Sequence, residues 1–321
     1  MPPKIASWGA GIDSTAMIIE LAERGCAPDL VLMADTVSEF PATDHFVPIF
    51  RRWMSERGIA NEIVQYRPTR LNGRPSYDGL LEYLLATATL PSIAFGQHSC
   101  SLKWKVAPQH QFVKNWPPAI ETWTNNQRVV RLIGYDASPR DTQRYAHAET
   151  YDDPLYENHY PLREWGWTRE TSSQRIIDAG LPLPSKSSCF FCTACKPNEI
   201  SSLPTRYLEL IILLEAAAAP RLRNIEGLWR KSTIGRGKAA PRPGSMTTFI
   251  EAHGLVTDRR ITAIRTDILQ SLRQHTDTAT PSGATMAQWI QHHFPQSGPI
   301  SAHEGRGDGL AIKTPTGGHI P

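Results

Sequence analysis

Three cysteines crowd into "KSSCFFCTACKP", as Cys189, Cys192 and Cys195, and Cys100 offers a fourth thiol from far upstream. A Cys-x2-Cys-x2-Cys run plus one distant cysteine is a soft donor set, suited to a structural zinc or an iron–sulfur cluster. Spacing alone does not separate the two, and redox-active thiols are the third reading. The chain has five cysteines, an odd number, so the clustering favours metal or redox chemistry over a disulfide framework. Lys103, Lys105, Lys186 and Lys196 flank the thiols; they would favour thiolates or be ordinary surface lysines. Cys26, in a helix-ending loop, reads as a small buried apolar residue.

A second stretch, "SWGAGIDSTAM" at 7–17, sets Gly9 and Gly11 ahead of Asp13, Ser14 and Thr15. Between a strand and a helix, such glycines let backbone N–H groups close on an anion, and a helix N-terminus favours negative charge. The stretch is not a Walker loop, since no lysine precedes Ser14, and it lacks the third glycine of a dinucleotide fingerprint. By itself it also reads as a tight turn, with Asp13 as a plain helix N-cap.

The elements that must hold these groups alternate between strand and helix. Residues 3–6 read as a strand, 14–24 as a helix stopped by Gly25 and Pro28, "LVLMAD" as a second strand ending in Asp35, 42–57 as a helix and "NEIVQY" as a third strand. Further on, 79–89 reads as a helix and "VVRLIGYD" as a strand running into a polar turn. This βαβ pattern implies an α/β fold: a parallel sheet with flanking helices and ligands at the carboxyl ends of its strands. Past Pro204 the pattern turns helical. We therefore expect a nucleotide-binding domain over 1–200 that includes the cysteines, a smaller, mostly helical region over 201–297, and a Gly- and Pro-rich flexible tail over 298–321.

"GAGIDSTA" resembles the S-G-G-x-D-S-[ST] loop of the PP-loop ATP pyrophosphatases, the adenine nucleotide alpha-hydrolase group that includes phosphoadenosine phosphosulfate (PAPS) reductases. It departs at Gly9, for serine, and Ala10, for glycine. "ADTVSEFPAT" is similar to the D-T-G-x-x-F-P-E-T segment of those reductases, and "CSLKWKVAP" to C-[ST]-x-x-x-K-x-x-P, matching Cys100, Ser101, Lys105 and Pro108. "IGYDASPR" resembles a G-x-R-x-x-E-S-x-x-R turn at Gly134 and Arg140, and "YPLREWGWTRE" the Y-P-L-x-x-W-[ST]-x-x-[DE] stretch.

The resemblance implies that Ser7, Gly9, Ala10, Gly11, Asp13, Ser14, Thr15, Asp35, Gly134, Arg140 and Arg144 bind ATP with Mg2+. It further implies that Asp13, Ser14, Lys105 and Arg140 act in catalysis, and that Cys100, Cys189, Cys192 and Cys195 hold a [4Fe-4S] cluster, with zinc as the alternative. A PP-loop enzyme lets a substrate oxygen attack the α-phosphate, so pyrophosphate leaves and an adenylated substrate remains; backbone, magnesium and arginines stabilise the leaving charge. The chain is most similar in pattern to the cluster-containing enzymes of DNA phosphorothioation and tRNA thiolation, which implies nucleic acid and a sulfur donor such as a cysteine desulfurase as partners. PAPS or adenylyl-sulfate reduction is the alternative. Against it, no cysteine follows Cys195, and Ser99-Cys100 stands where cluster-bearing reductases show Cys-Cys. A non-catalytic ATP-binding zinc protein is the third reading, kept open by Gly9 and Ala10.

A net charge of +3 is too small to identify a partner. Residues 221–242 hold seven Lys or Arg against one Glu, with Trp229 among them, which fits phosphate contact and base stacking or a solvated basic face. Trp165 and Trp167 read as core. With 40% hydrophobic residues, no long apolar run and no basic-then-apolar leader, the chain is expected to be globular and cytoplasmic, with no membrane partner.

Overall fold

A computed structural model describes residues 1–66, 77–94, 97–235, 240–277 and 285–295. In chain order the strands are β1 (Lys4–Ser7), β2 (Leu30–Asp35), β3 (Asn61–Gln65), β4 (Ile93–Ala94), β5 (Gln97–His98), β6 (Val129–Ile133) and β7 (Tyr156–His159). Five of them form one parallel sheet in the order β3-β2-β1-β6-β7, while β4 and β5 pair antiparallel as a small hairpin.

The sheet faces follow from the two-residue alternation of strand side chains. Ala6, Val31, Met33 and Leu132 pack against α1 (Ile12–Glu23) and α2 (Pro41–Ser55), in a core that includes Ile18, Phe46 and Phe50. Ile5, Leu30, Leu32, Ala34 and Val129 face the other way, onto Val113 and Ala119 of the helices Ala107–Val113 and Pro117–Thr124. Covered on both faces, "LVLMAD" is a continuous apolar run rather than an alternating one. The chain leaves β1 toward β2 and β3 on one side and returns to β6 and β7 on the other. The order therefore reverses between β1 and β6, and the crevice at their carboxyl ends is where such sheets take ligands.

Elements expected from sequence are present with shifted ends. The first helix begins at Ile12 rather than 14, and α2 tolerates Pro48 inside it. The helices after residue 200 share one core with the rest: Leu208, Ile211 and Leu214 of the helix Thr205–Ala218 join Leu84 and Leu85 of α3 (Leu80–Thr87), Trp104, Phe191 and Cys195. Glu215 of that helix is buried, and its carboxylate accepts from the backbone N–H of Leu228, Met246 and Thr247 and from the Ser245 hydroxyl. Four donors on one carboxylate tie Leu228 and residues 245–247 to the core. Among the described residues no helix is long and apolar enough to cross a membrane. The tail expected over 298–321 lies outside the described residues.

Candidate functional site

The glycine stretch leaves β1 at Ser7 and enters α1 at Ile12, so it sits at the sheet's switch point. Gly11 is the helix N-cap and no side chain caps the helix, which leaves first-turn N–H groups facing the opening. Asp13 is thus in the first turn and is not the N-cap. Ala10 takes a left-handed conformation at φ 54°, where glycine is favoured. Ser14 Oγ accepts from the Gly9 N–H at 3.3 Å and closes the loop on itself. Thr15 turns inward: it is fully buried and its hydroxyl accepts from Trp8 Nε1 at 2.9 Å. Its side chain anchors the loop from below, and its backbone N–H lies in the first turn of the helix. Gly134 ends β6 against the same turn. A Cβ there would lie 2.9 Å from Ser14 Cα and N, so only glycine lets the two segments meet.

Charge gathers on one side of this loop. Asp13 Oδ2 pairs with Arg169 at 3.0 Å, while Oδ1 is buried with no partner. Burial pushes the Asp13 carboxyl above its ordinary value; Arg169 pulls it down, Asp136 and Asp141 push it up, and Arg140 pulls it down. Asp136 and Asp141 are both buried. Arg140, exposed in the first turn of the helix Pro139–Glu149, forms no ion pair among the described residues. Arg144 is engaged with Asp141 at 3.1 Å and lies over the Tyr135 ring at 4.4 Å.

On the loop's other side is a cavity of about 140 Å³, lined by Ser7, Trp8, Gly9, Met33, Glu39 and Lys105 among others. Ser7 Oγ donates to Gln109 Oε1 at 3.3 Å. Lys105 lies in a π turn, Leu102–Val106, whose Trp104 is buried; Lys103 stacks over Tyr83 at 4.2 Å while Lys105 reaches Glu39 at 3.4 Å. Burial works against the Lys105 charge, but Glu39 and Cys189 outweigh it and hold its pKa above the ordinary lysine value. Asp35, expected near the nucleotide, is committed to its own turn. Its oxygens accept from the Val37 N–H at 2.7 Å and Gln65 Nε2 at 2.9 Å.

The cysteine segment lies directly against the loop. Ser187 Oγ donates to the Gly9 carbonyl, and two residues later Cys189 bridges to Glu39 as an isolated β-bridge. Backbone bonds from Phe40 to Ser188 and from Phe190 to Ser38 fix that register. Thr36 Oγ1 lies 3.2 Å from Cys189 Sγ and donates to Glu39 Oε1 at 3.0 Å. Cys100, Cys189 and Cys195 each feel the charge of Cys192, so the four thiols form one electrostatic neighbourhood. Burial raises the thiol pKa of Cys100 and Cys189, and pushes that of Cys195 up to about 12. Among the described residues no three His, Cys, Asp or Glu side chains are drawn together as one metal ion would need.

No family model matches the chain, and no curated protein matches it. Among solved structures it is similar to the U34-tRNA thiolase NcsA from Methanococcus maripaludis with its [4Fe-4S] cluster, at 11% identity, a TM-score of 0.37, and coverage of 88% of this chain and 74% of that one. A likeness that loose leaves the site to be argued from this chain's own residues.

Those residues include several that were not named as site residues: Glu39, Arg169 and Ser187 sit inside the quoted stretches but at positions the motifs leave unspecified, and Gln109 follows Pro108 directly. The basic stretch 221–242 departs from expectation in one respect. Trp229 is 3% exposed and donates through Nε1 to the Cys195 carbonyl at 2.7 Å, so it is core and closed to base stacking. Around it, Glu226 accepts from Ser232 and Gly244, Thr233 bridges to Arg242, and Ile234 is exposed. Residues 236–239 lie outside the described residues. Trp165 and Trp167 pack on the α1 core, as expected.

Proposed function

We propose that the chain is an ATP-dependent adenylating, pyrophosphate-releasing enzyme that works in sulfur transfer to nucleic acid. The observation that supports this best is the contact of Ser187 with Gly9, which sets a multi-cysteine segment against a phosphate-type loop at the switch point of a parallel sheet. In this reading Gly9, Ala10 and Gly11 offer backbone N–H groups to the phosphates, and Asp13, beside Asp136 and Asp141, takes Mg2+. Ser14 and Arg140 steady the leaving pyrophosphate, and the cavity beside Ser7 and Met33 takes the nucleoside.

Cys100, Cys189, Cys192 and Cys195 are the residues that would hold a metal centre. Four soft donors, two of them buried and two half-buried, fit such a group, and a [4Fe-4S] cluster fits better than zinc. Each iron of a cluster takes a single thiolate, so its four sulfurs need not converge on one point as they must around a lone tetrahedral ion. The group would supply a soft, sulfur-binding metal next to the activated acceptor. Lys105, between Glu39 and two of these thiols, would offset the negative charge of the thiolates.

The test is pyrophosphate release from ATP by purified protein, alone and with tRNA or DNA, alongside iron, sulfide and zinc analysis. Release that depends on nucleic acid, in protein with stoichiometric iron and sulfide, is the expected result. A colourless zinc protein that binds ATP without turnover would overturn the proposal in favour of a non-catalytic sensor.

A further inference from the structure

β7 is the last strand of the sheet, and between it and the helix Pro139–Glu149 lies a second cavity, of about 340 Å³. None of its walls belongs to the glycine loop or to the cysteine segment. Two polar atoms there are withdrawn from solvent with nothing to bond. Tyr160 is 8% exposed and its hydroxyl has no hydrogen-bond partner; Asn158 Oδ1, two residues earlier, is likewise buried and unpartnered. Leaving such an atom unmet costs about 1–3 kcal/mol, so two on residues that line the same cavity point to a ligand that completes them.

The wall also has a sign. Five carboxylates line the cavity, from Glu149, Asp152, Asp153, Glu157 and Glu164. Arg128 meets Asp152 at 2.6 Å and Arg131 approaches Asp153 at 3.7 Å. Glu149, Glu157 and Glu164 have no lysine or arginine partner among the described residues; Glu157 meets His159 at 2.9 Å and Glu149 accepts from the Tyr145 hydroxyl. The rings around them already receive cations from the protein itself. Arg163 lies 4.3 Å over Tyr145, and Arg131 lies 3.6 Å over Tyr156.

We infer that this cavity is a binding site for an alkylammonium ion. An ammonium has three N–H donors and no acceptor, so it can satisfy Asn158 Oδ1 and the Tyr160 oxygen together while its charge answers the unmatched carboxylates. A phosphate or carboxylate ligand would face five negative groups instead. A quaternary ammonium would suit the rings and leave both orphan atoms unmet. Burial holds the Tyr160 phenol neutral well into alkaline pH, which keeps its oxygen available. The same head group occurs at the ends of free polyamines and on lysine side chains of a partner protein, and both present it on an aliphatic stem that a cavity of this size admits.

Calorimetric titration of the full-length protein with cadaverine, spermidine, a short peptide bearing one lysine, and cadaverine trimethylated at both ends tests this. Saturable binding of the primary amines is expected, with the fully trimethylated analogue bound about tenfold more weakly, as loss of hydrogen bonds to two buried acceptors predicts. Tyr160→Phe and Glu164→Gln should each weaken binding about fivefold or more with the melting temperature held. Glu164 is exposed, so its substitution leaves the fold in place even where Tyr160→Phe does not. Binding of the free amines identifies a small polyamine ligand; binding of the peptide alone, with the same sensitivity to both substitutions, identifies a lysine borne by a partner. No saturable binding by any primary amine, equal binding of the trimethylated analogue, or indifference to Glu164→Gln overturns the assignment.

Discussion

Ala10 and Val37 hold left-handed backbone conformations, at φ 54° and 57°, and each stands where the PP-loop or PAPS reductase pattern has glycine. The backbone path of both turns is thus kept without the residue that adopts it freely, and a β-branched side chain at Val37 makes that position the more strained. Ala10→Gly and Val37→Gly should each raise stability by about 1 kcal/mol in urea unfolding, the cost of a left-handed L-residue; a loss of stability at either site would show the strain to be absent. Asp13 gives a different signature. Its carboxyl is held above the ordinary value by burial, so its contribution to stability is full below the unfolded pKa and is lost as pH rises through the folded one. Asp13→Asn should therefore leave the melting temperature at pH 8 unchanged or higher, while cutting pyrophosphate release by about 100-fold or more, as expected when a group that organises transition-state charge is removed. A lower melting temperature with activity retained would place Asp13 in structure alone.

At the scale of elements, the close meeting of β6 and α1 is the tightest tolerance in the site. Gly134→Ala would set a methyl group against the backbone of Ser14, and a backbone cannot turn aside as a flexible side chain can. ATP affinity should fall about tenfold or more with the circular dichroism of the fold retained, since overpacking of about 1–3 kcal/mol is spent on moving the loop. Unchanged affinity would mean that the first turn of α1 does not touch the nucleotide. The elements here were legible in the sequence because "KIA", "LVLMAD" and "VVRLI" are apolar runs broken by Gly and Pro. What the sequence could not convey is which distant side chains meet. Arg169 reaches Asp13 across 156 positions, and Ser187 reaches Gly9 across 178, and nothing local to Arg169 or Ser187 names the partner. Trp229 shows the opposite case: it is a residue type that suits base stacking, and it is taken by tertiary packing that no window of sequence reveals.

For the whole molecule, nucleic-acid contact is tested at the basic residues that flank Trp229, which bonds the cysteine segment. Arg223 and Lys231 are exposed there. Replacing each by alanine should weaken binding to tRNA or DNA across sequences alike and lower the salt slope by about 1 for each phosphate no longer neutralised. Affinity and slope that stay the same for both nucleic acids would move the acceptor elsewhere.

The hydroxyl of Ser187 on the Gly9 carbonyl has a thermodynamic corollary. Three consecutive links, Ser187 to Gly9, Cys189 to Glu39 and Trp229 to Cys195, join the loop, the thiols and the helical half into one yoke. In the proposed reading, a metal centre that orders the thiols would lower the entropy that ATP removes from the loop, and by reciprocity ATP would hold that centre more tightly. Metal-depleted protein should consequently bind ATP less tightly than loaded protein, and ATP should slow the loss of metal to a chelator by the same coupling.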